Sequence, residues 1–406
     1  MKTVKYLRFY CSLRGKRRLT FQPIFPLEFG VGMGLTGTVE LPLHAGGVPR
    51  WLISRMTRLA KGVLTIMVDE HGVDEVLKRF SDPLWFQAFS CVLGFDWNSS
   101  GTTTVTCAVV KSVLANENLG LKMAGGKGLK SLQTLKELDV LGEELNLATG
   151  SVEGLKKASR LSAKVDNAAV QDGYSIYHHV ILVCKHGHWA VVQQGMNVKE
   201  VAARRYHWLS TRLKSFVNEP HSGIIGDRGH NYVLDMTAEE SEACRRVCVD
   251  VAVEGPVKAL RLLREAKARV KGPLDAWLEV KGKVEPPPHY RFAPDSFNWE
   301  VLKRCYELKP GNYEELLQVH GLGPATIRGL ALIAELIYGE RPSWKDPVKY
   351  SFAFGGKDGI PYPVNRRSMD EAISFLQDAL ESAELGSKEK LLALKRLQGL
   401  VVRLPP

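Results

Sequence analysis

Hydrophobic and polar positions follow a helical spacing along most of this chain and give way to continuous apolar runs near its middle. Apolar residues recur at helical spacing after Pro49, predicting a helix opening there and two more around Val73–Phe80 and Pro83–Leu93. The hydroxyl-rich stretch Ser99–Thr104 supplies N-cap residues for a helix over Val105–Leu114, although the β-branched residues of 103–110 make a strand the rival reading. A glycine turn, Gly125-Gly126-Lys127-Gly128, precedes a helix ending near Leu145 and a helical linker from Val152 to Val170. Over 174–196 the helical period gives way to two apolar runs joined by Lys185-His186-Gly187-His188, which predict a β-hairpin. Helices are expected again over 198–217, 237–253, 256–270, 368–384 and 387–401, with a boundary at Pro286-Pro287-Pro288. Three parts follow: a basic extension over 1–32, a region over 33–285, and a helical region over 286–406. The fold class expected is α+β, mostly helical, with a small antiparallel sheet.

The segment Tyr313–Gly339 carries the sharpest signal. Leu316, Leu317 and Val319 precede a tight Gly321-Leu322-Gly323-Pro324 turn, and Ile327, Leu330, Ala331, Ile333 and Ala334 follow at helical spacing. Pro324 suits a first helical position. The pattern resembles the helix-hairpin-helix module of DNA-repair and nuclease proteins. That resemblance implies that Gly321 and Gly323 let the backbone approach a phosphate, with Thr326 and Arg328 adding hydroxyl and cationic contacts. An ordinary helix–helix turn is the plainer alternative.

Net charge adds modest weight: +11 over 406 residues fits a polyanionic partner. No apolar run approaches the ~20 residues that span a bilayer, and Arg14, Lys16, Arg17 and Arg18 occupy the place of a secretory apolar core. A cytoplasmic, nucleoid-associated protein without membrane contact is therefore expected. Of the seven cysteines, Cys244 and Cys248 are four apart with no second pair to complete a zinc site.

Four polar clusters exceed what a packed core needs. Asp96, with Ser99, Ser100 and Thr102, places a carboxylate beside a hydroxyl-rich helix start, able to hold a metal or orient a phosphate. Lys127 sits in a glycine turn too short for a Walker loop. Gln193 and Gln194 end an apolar strand, opposite His178 and His179. Arg204, Arg205, His207 and Trp208 interleave charge and rings as a nucleotide requires, with Glu219 and His221 downstream. The plainer readings are a helix cap, a solvated lysine, paired amides and a core tryptophan. Asp96, His207, Glu219 and His221 are the right types for a divalent cation, magnesium or manganese.

The words TGTVELPLHAGGVPRWL, GFDWNSSGTTT, GGKG, WAVVQQGMN, RRYHWLS, EPHSGI and GGKDGIPYPVNR resemble, in that order, a family of archaeal and bacterial proteins known as a domain of unknown function. The resemblance covers about residues 33–400 and implies a helix-hairpin-helix region with a link to DNA. A fainter C-terminal similarity is to base-excision glycosylases. The family's lysine and aspartate positions would be Ala325 and Asn365 here, so that site is lacking unless Asp358 substitutes; Lys357 beside it remains a candidate for DNA contact. The expectation is a DNA-binding protein of the repair type, a hydrolase cutting the phosphodiester backbone or acting on a flipped base in duplex, branched or damaged DNA. A non-catalytic DNA-binding scaffold and an RNA-directed protein stay open, because no complete catalytic constellation can be assembled.

Overall fold

A computed structural model describes residues 50–95, 100–226, 229–271, 294–348, 350–351, 366–383 and 385–402. All of them belong to one compact unit, Thr36–Pro406. Asp96, Ser99 and Lys357 lie outside the described residues, as does the side chain of Ser100.

The helices α1 (Arg50–His71), α2 (Val73–Phe80) and α3 (Pro83–Leu93) open the described chain. Asp82 caps α3, its Oδ1 accepting from Leu84 N at 2.8 Å, and Pro83 takes the first position, where no amide is needed. The helical reading prevails for the hydroxyl-rich stretch, which forms α4 (Ser100–Asn116). The strand β1 (Leu121–Lys127), α5 (Thr134–Glu144) and α6 (Thr149–Lys164) follow. A single π-turn (Val165–Ala169) leads into β2 (Val170–Gln171), β3 (Ser175–Cys184), β4 (Trp189–Asn197), β5 (Ala202–Leu209), β6 (Gly223–Gly226) and β7 (Leu234–Asp235). Next come α7 (Glu242–Val253), α8 (Pro256–Lys271), α9 (Trp299–Leu308), α10 (Tyr313–Gln318) and α11 (Pro324–Tyr338). The described chain closes with β8 (Tyr350–Ser351), α12 (Arg366–Ser382) and α13 (Ser387–Val402).

Six strands form one sheet in the order β1-β3-β4-β5-β6-β8, antiparallel except for the parallel β6–β8 pair. The expected hairpin over 174–196 is its centre. Helices cover both faces. Val180, Leu182, Val192, Ala203 and Leu209 face a core built from α1–α4, α12 and α13, whereas Ile181, Val183, Val191 and Trp208 face a core of α5–α11. Each large apolar side chain so buried contributes about 1.5–3 kcal/mol. Among the described residues no helix is long and apolar enough to cross a membrane.

Three expectations change. Residues 202–209 are not helical but form β5, buried at every position. With both faces covered, inward-facing residues occupy odd and even positions alike, so the alternation that marks a half-exposed strand is missing. Gly125 to Lys127 form the end of an edge strand rather than a turn. The described residues after 294 share their cores with earlier elements: α9–α11 complete the layer begun by α6, and α12 and α13 complete the layer of α1–α4.

Candidate functional site

The doublets His178-His179 and Gln193-Gln194 fall in register with Gly126-Lys127 and Arg205-Tyr206. Lys127, His178, Gln194 and Arg205 are successive lateral partners across β1, β3, β4 and β5, and Gly126, His179, Gln193 and Tyr206 form the adjacent row. Successive side chains on a strand point to opposite faces. A polar belt thus crosses the middle of the sheet on both sides.

On the α6 side the belt is a continuous hydrogen-bond chain. His179 Nδ1 lies 2.9 Å from Gln193 Oε1; an amide oxygen only accepts, so Nδ1 carries the proton and Nε2 accepts from Ser159 Oγ at 2.8 Å. Gln193 Nε2 donates to Asp166 Oδ2 at 2.5 Å, Trp208 Nε1 to the same oxygen at 2.9 Å, and His221 Nε2 to Asp166 Oδ1 at 2.5 Å. Asp166 sits in the π-turn, whose wider ring turns this carboxylate inward at the end of α6. Burial pushes His179 down to about 4, against the Gln193 hydrogen bond, so it is neutral. Beside this chain, Asp172 Oδ2 accepts from Tyr206 Oη at 2.6 Å and Arg204 Nη1 at 2.9 Å, while Arg204 Nη2 reaches Asp346 at 2.8 Å. Burial opposes the Arg204 charge, but Asp172 and Asp346 outweigh it and hold its pKa above the ordinary value.

On the other face the row is less satisfied. Arg205 Nε donates to His207 Nε2 at 2.9 Å and Nη1 to Thr103 Oγ1 at 3.2 Å, with the guanidinium 4.5 Å over the Phe86 ring. Among the described residues its Nη2 has no hydrogen-bond partner, nor does either ring nitrogen of the buried His178. Burial pushes Arg205 down to about 10 and His178 down to about 3. Burial also holds His207 well below the usual imidazole range, with the Arg205 charge assisting. Gln194 donates to Tyr177 Oη, and the exposed Lys127 ammonium is 5.8 Å from that ring centroid.

The sequence clusters therefore divide. Gln193 and His221 meet at Asp166, which sequence reasoning missed because its signal was one acidic residue in a helical linker. His207 lies across the sheet from His221, and Glu219 is exposed beside a groove of about 730 Å³ that also holds Asp235, Glu240 and Asp346. His207, Glu219 and His221 do not share one cation site. Arg204, Arg205 and Trp208 are wholly buried and Thr102 is internal, so none offers a surface to nucleic acid.

The two helices read from sequence on either side of the glycine turn are present: α10 and α11 are joined by Val319–Gly323, with Leu322 buried. Gly321 has φ +85°, and a Cβ there would meet Arg304 and Val301 at 3.1 Å. A Cβ on Gly323 would have nothing closer than 4.0 Å. His320, Gly321 and Ala325 are exposed. Lys164 Nζ donates to the Leu322 carbonyl and Arg304 Nη1 donates to His320 O at 2.7 Å, while Lys157, on the same face of α6 as Lys164, is paired with Glu314 at 2.7 Å. Two assignments change: Thr326 is buried in the core, and Arg328 is half-buried with its Nε donating to Gln171 Oε1 at 2.8 Å. Arg328 instead borders a cleft of about 460 Å³ beside Pro324, lined also by Gln171, Tyr174, Asn197, His230 and Tyr232.

Ligand types for a metal converge elsewhere, at Asp74, Cys184, His186 and His188, whose donor atoms all lie within 4.8 Å of one another. Three of the four stand in sequence as a Cys-x-His-x-His run at the hairpin tip, a spacing that sequence reasoning passed over; Asp74 lies 110 residues away from Cys184.

A family model described as a protein of unknown function (DUF763) matches residues 37–364, and the chain belongs to that family. No curated protein and no solved structure matches the chain.

Proposed function

For this member of the DUF763 family we propose duplex-DNA binding through the turn between α10 and α11, in a role of the repair type. One observation carries the reading: a Gly-x-Gly turn, exposed at Gly321 and half-buried at Gly323, opens α11 with Lys164 and Arg304 against its backbone. The first amides of a helix have no intrahelical acceptor, and the helix dipole adds positive potential there. Lys164 and Arg304 both reach the turn backbone, and the net charge of +11 has the same sign. Such contacts hold the phosphate backbone and leave base sequence unread.

The adjoining 460 Å³ cleft is of a size to hold one base. The exposed Tyr232 ring and the Asn197 amide line it, a ring and an amide being the means by which an extruded base is held, while Gln171 is engaged with Ala168, Pro324 and Arg328 and the Tyr174 ring lies under Arg204. Backbone cleavage is the second enzymatic reading; it calls on magnesium or manganese at oxygen ligands, for which Asp96 and Glu219 are the carboxylates. A non-catalytic scaffold is favoured by the closure of the belt, where Gln193, Gln194, His207 and His221 are all buried. A nucleoid-associated location in the cytoplasm follows from DNA binding.

The test is fluorescence anisotropy of labelled duplex at several salt concentrations, with wild type beside Gly323→Leu. Room beside Gly323 lets the variant fold, while its side chain occupies the phosphate's approach. Affinity should fall steeply with salt for wild type and at least roughly tenfold on substitution, the equivalent of about 1.4 kcal/mol. Equal affinity for both proteins, with unchanged thermal unfolding, would leave the segment as a simple turn. Incubation of end-labelled duplex, branched and base-damaged DNA with and without EDTA, each sample split for alkali treatment, separates nicking, base removal and binding alone.

A further inference from the structure

We propose that Asp74, Cys184, His186 and His188 form a binding site for one zinc-class divalent ion, which pins the start of α2 to the β3–β4 hairpin. The proposal stands apart from the DNA-binding reading and uses none of its residues.

The hairpin brings three ligands together. Its connection Lys185–His188 is closed by Gly187 N donating to Cys184 O at 2.9 Å and Cys184 N donating to His188 O at 3.0 Å, with Gly187 at φ +81°. This tight loop projects the imidazoles of His186 and His188 to the same side, ring centroids 6.4 Å apart. Cys184, on the face that looks toward α2, lies buried beneath them. The fourth ligand comes from the first turn of α2. Asp74 Oδ1 is 2.8 Å from His188 Nδ1 and 3.5 Å from Cys184 Sγ, and Oδ2 is 3.0 Å from His186 Nδ1.

Geometry and chemistry agree on the ion. With zinc–nitrogen and zinc–oxygen bonds of about 2.0–2.1 Å and zinc–sulfur near 2.3 Å, ligand atoms of a tetrahedron stand roughly 3.3–3.7 Å apart. The observed separations from Asp74, 2.8–3.5 Å, need only small outward movements. Two imidazoles and a thiol select zinc or a neighbouring late transition ion, and disfavour magnesium and manganese, which take oxygen ligands. A surface carboxylate bridging two histidines contributes little by itself. The buried thiol directed at the same carboxylate sets this cluster apart from such a pair. Four protein ligands fill a tetrahedron and leave no position for substrate, so the ion's role is structural. It links residues 110 positions apart in sequence, across the edge of one core layer.

The full chain, purified without an affinity histidine tag and dialysed against metal-free buffer with one addition of zinc, should retain stoichiometric zinc by elemental analysis. His186→Ala/His188→Ala should lose it. Cobalt in place of zinc should give the visible bands of a tetrahedral ion and a thiolate-to-metal charge-transfer band, and Cys184→Ser, nearly isosteric, should lose the latter. EDTA should lower the wild-type thermal midpoint and zinc restore it, a readout that holds even if a variant folds poorly. Zinc content below stoichiometry in wild type, equal retention by the double variant, or an unchanged thermal midpoint in EDTA would each overturn the site.

Discussion

Burial of His179 makes stability depend on pH in a direction and amount that can be worked out. Its imidazole titrates near 6.5 when unfolded and is pushed down to about 4 in the folded protein, chiefly by burial. A base whose folded pKa is depressed stabilises the fold fully above pH 6.5. That contribution is lost as pH falls from 6.5 toward about 4, because only the unfolded chain gains the proton. Between pH 7.5 and 5.0 the loss from this one group is about 2 kcal/mol. His178, pushed down to about 3, acts in the same sense, while Asp172 and Asp235, raised by burial, act oppositely. The comparison is therefore between wild type and His179→Gln, whose amide keeps a polar group between Ser159 and Gln193. Urea unfolding of both, followed by tryptophan fluorescence in EDTA to remove any metal contribution, gives the difference directly. Wild type should lose about 2 kcal/mol more than the variant on going from pH 7.5 to 5.0. Equal losses would mean that His179 is not held neutral, and the hydrogen-bond chain from Ser159 to Asp166 would need redrawing.

Two further substitutions test the packing. Gly142→Ala would place a Cβ 2.4 Å from Val152 Cγ2 and should cost about 1–3 kcal/mol of stability despite alanine's better helix propensity. Adding Val152→Ala should recover part of it in a double-mutant cycle, and strict additivity would refute the contact. Arg204→Met leaves Asp172 and Asp346 without their guanidinium and should cost about 3–5 kcal/mol by denaturant unfolding; a loss below about 1 kcal/mol would show that the cluster does not need its charge.

Segments that follow one period were legible from sequence. The hairpin helices of 313–338 and the β3–β4 pair read correctly because each carries a single apolar face or run flanked by turn residues. The segment Arg204–Trp208 misled because the polar belt crosses this central strand and puts partnered polar residues on both of its buried faces, and a basic-aromatic helix has the same composition. The belt was half visible. His178, Gln193 and Gln194 stood out as polar residues in apolar runs, yet only strand register shows that Lys127, His178, Gln194 and Arg205 share one row. Asp166 and Asp74 were illegible, since each gains its meaning from partners brought in by tertiary folding.

The placement of α12 and α13 sets the order in which this protein can be finished. Every residue of α3 is buried, with Trp85, Phe86 and Phe89 among them, and its covering helices carry Ile373, Leu376, Leu380 and Leu397. A ribosome adding ~5–20 residues per second reaches those residues roughly 15–60 s after completing α3. Until then the face of α3 that α12 and α13 cover lacks its partners within the chain, and chains that terminate before α12 should partition to aggregates or proteolysis rather than persist as an N-terminal fragment.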